Sequence, residues 1–249
     1  MSLIIKLIIT FYFYEIFIIN SILLSLFSIP LFIISPSGRT LHKLIVISAK
    51  IIFFFSGCRL FLLSKNPYNK YKNNIIIVAN HQSLFDILVL YILFDKLQFK
   101  WVIKKSLFYI PFFGFPLLYM ARYIKLDRKN RIKAYKAVEK SVYWLKKGFS
   151  MIIFPEGTRS KEDKVNEFKM GGVKIAFKAE TDIIPVVLYG TLFIKSKQKK
   201  LVNPSPVFAK ILNKRKATNL DLHSQKILLK ELEENIRVEY NKLKEIVKN

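Results

Sequence analysis

Asn80-His81-Gln82-Ser83-Leu84-Phe85-Asp86 sets an imidazole five residues ahead of a carboxylate. Such a pair can form a general base. The carboxylate accepts one ring N–H and fixes the tautomer, and the other nitrogen is left to take a proton. On a regular helix, five residues would separate the two by about 140° and ~7.5 Å, too far to touch. If Ser83 caps the helix, Asp86 falls on its first turn and His81 in the preceding loop can fold back toward it. Ser83-x-x-Asp86 also fits a capping box, in which Asp86 serves the helix end alone. Both readings stand on the sequence. His42 and His223 have no comparable surroundings and are expected to be incidental.

A second string, Phe154-Pro155-Glu156-Gly157-Thr158-Arg159-Ser160, packs a carboxylate and a guanidinium onto one tight turn. Gly157 permits the turn. Thr158 and Ser160 offer hydroxyls, and Arg159 offers a planar fork suited to phosphate. Glu156 could pair with Arg159. The competing reading is a surface turn carrying a solvated ion pair.

Both strings sit where strands should end. Residues 75–79 form a continuous branched apolar run, as in a strand buried on both faces. A helix is expected over 84–94, strands over 99–103, 122–126 and 151–154, and a loop or broken helix over 109–116. Residues 130–147 carry apolar positions at helical spacing, closed by Gly148. A short helix over 172–179 and a strand over 183–189 follow, with Pro185 at or near the strand's start. A further strand is expected over 207–212 and an amphipathic helix over 227–247. Strands alternating with helices imply an α/β fold, with a central, mostly parallel sheet flanked by helices. Open sheets of this kind place their sites at strand ends.

The N-terminal end reads differently. Residues 7–34 hold one charge, Glu15, and residues 16–34 hold none. Those uncharged residues, as a helix, span about 28 Å, close to a hydrocarbon core. Pro30 is expected to interrupt the far end, and residues 36–38 read as a turn. A second apolar stretch, 44–63, carries Lys50 and Arg59 and is a weaker span that could lie in the interface. No small-x-small cleavage site follows the apolar core, so an uncleaved anchor is expected. Two spanning helices and a hairpin dipping into one leaflet both fit. The division expected is 1–64 as membrane-anchoring helices and 65–249 as an α/β domain, with residues 65–74 as linker. Lysine crowds the chain beyond residue 64, which favours the cytoplasmic side.

Hydrophobic residues make up 52% of the 249, and 42 basic against 17 acidic residues give a formal charge of +25. Such a surface favours anionic partners, whether lipid headgroups or phosphorylated substrates. Nucleic acid is not expected: no binding module is visible, and the aromatic residues lie in apolar runs. Cys58 stands alone, which excludes an intramolecular disulfide and a cysteine-based metal cluster.

With two further blocks, these strings resemble the glycerolipid acyltransferases, most closely the 1-acylglycerol-3-phosphate (PlsC-type) members. One block is Ile110-Pro111-Phe112-Phe113-Gly114 leading into Ile124-Lys125-Leu126-Asp127-Arg128, and the other is Ile184-Pro185-Val186-Val187. The resemblance implies that His81, oriented by Asp86, removes a proton from a substrate hydroxyl, which then attacks an acyl thioester without an acyl-enzyme. It implies that Arg128 contacts the acceptor phosphate, and that Glu156, Gly157, Thr158 and Arg159 hold a phosphorylated glycerol. Lys105, beside Lys104, is the lysine expected to assist. No metal and no cofactor are implied. The co-substrate would be acyl-ACP or acyl-CoA, that is, a thioester of acyl carrier protein or coenzyme A. The expected partners are a lysophospholipid acceptor and the membrane. Other acceptors fit the same machinery: glycerol 3-phosphate, another lysophospholipid or a lyso-aminolipid. A non-catalytic basic membrane-binding protein is the reading from a different class. Ala121-Arg122 and Lys125 depart from the family pattern, in which a small residue and glycine, and then an apolar residue, are usual. Those departures bear on which acceptor is used.

Overall fold

The computed structural model describes residues 2–65, 74–114, 116–196, 198, 201–217 and 221–248. Two long helices open the chain: α1 (Leu3–Ile34) and α2 (Arg39–Phe55). A sheet of seven strands follows: β1 (Arg59–Leu62), β2 (Ile76–Ala79), β3 (Phe99–Lys104), β4 (Ile124–Leu126), β5 (Ser150–Ile153), β6 (Ile183–Tyr189) and β7 (Pro206–Ile211). Their order across the sheet is β1-β7-β6-β2-β5-β3-β4. Every neighbouring pair is parallel except β6 with β7. The connecting helices are α3 (Phe85–Leu93), α4 (Leu117–Met120), α5 (Arg131–Lys146), α6 (Gly171–Ala179), α7 (Thr191–Ile194) and the terminal α8 (Leu222–Lys248).

Alternation along the strands splits the core into two layers, because successive side chains leave opposite faces. Ile77 and Ala79 of β2 join α1, α2, α3 and α4 on one face. Ile76 and Val78 join α5, α6 and α8 on the other. The central strands β2, β5 and β6 are buried along their whole length, which explains their unbroken apolar runs. Asn130 caps α5 by accepting the Lys133 N–H at 2.9 Å, and Gly148 (φ +79°) follows its end in the left-handed conformation.

The N-terminal region departs from expectation in three ways. The apolar stretch 44–63 is not one segment: it breaks at Ser56-Gly57 into α2 and β1, and β1 pairs in parallel with β7. Residues 59–62 therefore belong to the sheet, on the N-terminal side of the boundary set at 64 and 65. The α1 helix also runs through Pro30 to Ile34; so near the end, the missing N–H removes a single ladder bond. Finally, Lys50 of α2 is ion-paired, its ammonium 2.6 Å from Asp95 of the chain that follows α3. The expected linker, 65–74, lies almost wholly outside the described residues.

Among the described residues α1 alone is long and apolar enough to cross a membrane, by length and composition. Its polarity is inverted. Thr10, Ser25 and Ser28 are buried, whereas Ile4, Phe11, Leu26, Ile33 and Ile34 are each more than 60% exposed. An outward face of that kind is unfavourable in water and suits an apolar surrounding.

Candidate active site

The chemical residues hang from the C-terminal ends of parallel strands. β2 delivers Asn80-His81, β3 ends in Lys104, β4 leads to Asp127-Arg128, and β5 leads to the Phe154–Ser160 string. Asn80 locks the first of these loops to the sheet. Its Nδ2 donates to the Leu188 carbonyl and its Oδ1 accepts from the Leu188 N–H, both at 2.8 Å. The sequence displayed Asn80 but gave no hint of this partner, which lies 108 residues away.

His81 Nδ1 lies 2.8 Å from Asp86 Oδ2. The same oxygen accepts the backbone N–H of Gln82 at 2.6 Å and of Ser83 at 2.8 Å. Asp86 thus closes the start of α3 and holds the imidazole, and one oxygen makes both sets of contacts. Asp86 is fully buried, and the His81 side chain is 14% exposed. With Nδ1 donating to the carboxylate, Nε2 carries the lone pair, and it has no hydrogen-bond partner among the described residues.

The second string clamps His81 from the other side. Glu156 Oε1 accepts the His81 backbone N–H at 2.6 Å, and the Ser160 N–H donates to the His81 carbonyl at 2.8 Å. The Phe154 ring stacks on the imidazole, with centroids 3.8 Å apart and planes 8° apart. Trp101 then packs on Phe154. Nothing in the sequence beyond the place of Phe154 at the head of the string marks it as this platform.

One cavity of about 400 Å³ takes in His81, Arg128, Gly157, Thr158 and Arg159. Most of the remaining lining is apolar. Phe17 and Leu24 of α1, and Ile45 and Ile52 of α2, form part of its wall. The N-terminal helices, read from sequence as anchors, are therefore also walls of the site. Gly157 adopts φ +74°, and a Cβ there would stand 2.6 Å from Arg128 Nη1. Nη1 donates to the Gly157 carbonyl. The glycine both makes the turn and admits the guanidinium.

Two expected residues lie elsewhere. Glu156 neither pairs with Arg159 nor lines the cavity. It is 2% exposed, and its second oxygen accepts the Asn166 N–H at 3.0 Å. Burial pushes its carboxyl up to about 7 against the pull of these backbone bonds. Its place is behind His81, as a brace. Lys105 reaches Asp127 at 3.2 Å and is not in the wall, whereas Lys104 is. The chain turns into a 3₁₀ helix at Lys105, which swings the two lysines apart.

The departures at Arg122 and Lys125 also face away. Arg122 takes φ +59°, the conformation natural to glycine. Its Nε donates to the Pro36 carbonyl at 3.1 Å, and its guanidinium lies 4.5 Å from the centre of the Phe32 ring. Lys125 sits against Tyr109 and Tyr119. Neither residue lines the cavity.

Comparison with known proteins gives a consistent result. The family model described as Acyltransferase matches residues 62–189, just over half of the chain. A 1-acyl-sn-glycerol-3-phosphate acyltransferase of Cocos nucifera is 38% identical over 138 residues, covering 54% of this chain and 44% of that protein. One from Borreliella burgdorferi is 35% identical over 149 residues, covering 59% and 58%. The chain thus spans roughly half the length of these curated relatives. The crystal structure of the 1-acyl-sn-glycerophosphate acyltransferase PlsC from Thermotoga maritima superposes with a TM-score of 0.79 at 27% identity, covering 98% of both chains.

Proposed function

The chain belongs to the acyltransferase family, and from that premise we propose that it acylates the sn-2 hydroxyl of 1-acylglycerol 3-phosphate to give phosphatidate. The donor is a thioester of acyl carrier protein or coenzyme A. The observation that carries this reading is the His81–Asp86 pair opening into one cavity with Arg128 and Arg159. Nε2 of His81 takes the hydroxyl proton as the oxygen attacks the thioester carbonyl. The tetrahedral intermediate then expels the thiolate, which receives that proton, and an ester replaces the thioester. Asp86 stabilises the imidazolium in between. Arg128 and Arg159 hold the acceptor phosphate, with Thr158 beside them. Glu156 and Phe154 fix the position of the ring that does this.

Relatives named for this acceptor support the choice, as does the position of Arg122 and Lys125, both turned toward aromatic side chains or the α1–α2 turn. The protein works at a membrane, with the outward face of α1 in the lipid and the site facing the cytoplasm. This suits substrates that are themselves lipids. The test is phosphatidate formation by purified protein in detergent from lysophosphatidate and each donor, with glycerol 3-phosphate and other lysolipids alongside. His81→Ala should fold normally and make no product. Near-normal turnover by that variant, or preference for another acceptor, would overturn the mechanism or the substrate respectively.

A further inference from the structure

The basic charge of this chain is not spread evenly. From 129 to 140, at the start of α5, Lys129, Arg131, Lys133, Lys136 and Lys140 stand against a single acid, Glu139. Glu139 is taken by Lys178 at 2.5 Å. The five basic side chains are exposed, and none of them forms a salt bridge among the described residues. Helix α8 is the contrast: its acids nearly match its bases, and Arg237 and Lys242 are ion-paired. Apolar groups interrupt the α5 charge, with Ile132 70% and Tyr135 57% exposed. A surface of unpaired cations around exposed apolar side chains complements an acidic amphipathic element.

Two further features say what that element carries. First, α5 packs on the sheet face opposite to α1 and α2. It points away from the apolar face of α1, so its partner comes from the aqueous side. Second, a smaller cavity of about 190 Å³ lies beside α5, lined by Leu126, Ala134, Ala137, Val138 and Ile175. It shares Val102, Arg128, Phe154 and Gly157 with the larger cavity. The two cavities share that stretch of wall, so the smaller one lies between α5 and the ring stacked on His81.

We infer that the α5 face docks an acidic, water-soluble carrier protein bearing the acyl thioester, and that the smaller cavity receives the carrier's flexible arm. This rests on the acyl-transfer reading and adds the donor's route to it. The carrier approaches from the aqueous side while the acceptor arrives from the lipid side, and the two meet at His81.

The test compares Lys133→Glu/Lys136→Glu with Lys226→Glu/Lys230→Glu, which makes the same change of charge on α8. An acid at 133, in the first turn of α5, favours the helix, and Lys136 in the next turn is exposed, so the first variant should fold. Binding of purified palmitoyl-acyl carrier protein is measured on the full chain in detergent. Initial rates are measured with that donor and with palmitoyl-coenzyme A. The α5 variant should lose roughly 10-fold or more in carrier binding and in carrier-dependent kcat/KM at low salt. Its rate with the coenzyme A thioester should fall much less, and the α8 variant should match wild type. Equal losses in both variants, or equal losses with both donors, would overturn the inference. So would an α5 variant that binds the carrier normally but no longer binds phosphatidylglycerol vesicles, because the face would then be a lipid contact. Charge-dependent carrier binding without acyl transfer from either donor would refute the proposed function alone. Transfer from coenzyme A without carrier binding would refute the docking face alone.

Discussion

Replacing Gly157 by alanine adds one methyl group at the point where the turn meets Arg128. The new Cβ would stand 2.6 Å from Arg128 Nη1 and 2.8 Å from Cζ. Normal contact needs about 3.5 Å or more, so the guanidinium must retreat by roughly 1 Å and leave the Gly157 carbonyl. A charge-assisted bond of this type is worth about 1.5–3 kcal/mol. If that position is the one that grips the acceptor phosphate, KM for lysophosphatidate should rise by roughly 10- to 150-fold. The backbone is held at φ +74°, which costs an alanine about 1–2 kcal/mol, so the melting temperature should also fall. His81 and Asp86 touch neither group, so kcat at saturating acceptor should stay within a few-fold of wild type. The control is monoacylglycerol, which lacks the phosphate and should show no comparable rise in KM. A stable Gly157→Ala protein with an unchanged KM for lysophosphatidate would refute the assignment of Arg128. A large loss in kcat would show that the methyl disturbs the base instead.

Three other outcomes can be checked. Asp86→Asn keeps an oxygen for the three donors but removes the charge opposite the imidazolium, so kcat should fall by about 10²–10⁴ with the fold retained, read from rates and circular dichroism. Glu156→Gln can satisfy only one of the two backbone N–H groups that the carboxylate serves, costing about 1–3 kcal/mol in denaturant unfolding. Because burial raises the folded Glu156 to about 7, the unfolded chain loses its proton first as pH climbs from about 4.5. The Glu156 contribution to stability should therefore fall over pH 4.5–7 by an amount on the order of 3 kcal/mol, and the lead of wild type over Glu156→Gln should shrink, the opposite trend from buried His42 being common to both proteins; a gap independent of pH would contradict this. Arg122→Gly should be more stable than Arg122→Ala by about 1 kcal/mol, because both lose the contact with Pro36 but only alanine keeps the strained φ.

Much of this architecture could be read along the chain. The β6 bounds, Ile183–Tyr189, match the apolar run, and α5 follows its periodicity from the Asn130 cap to Gly148. These features are local, so a single sequence contains them. What escaped reading depends on distant partners. Strand β1 looked like part of an apolar span because β7, which pairs with it, lies far along the chain. Glu156 looked like a ligand because its acid is conspicuous in a turn, yet its direction is set by the His81 and Asn166 amides. Lys104 and Lys105 are adjacent in sequence, and a 3₁₀ turn between them decided which one reached the cavity. For the Asn80–Asp86 string, the sequence supplied the pair but not the second clamp from Ser160.

Because α1 and α2 contribute side chains to the cavity wall, trimming the greasy start of the chain to ease purification would leave the reaction chamber open on one side. A shortened protein could retain an intact His81–Asp86 pair and still admit bulk water to the cavity beside it. Soluble versions are better sought by recolouring the outer residues of α1, such as Ile4, Phe11 and Ile33, than by deleting the helix.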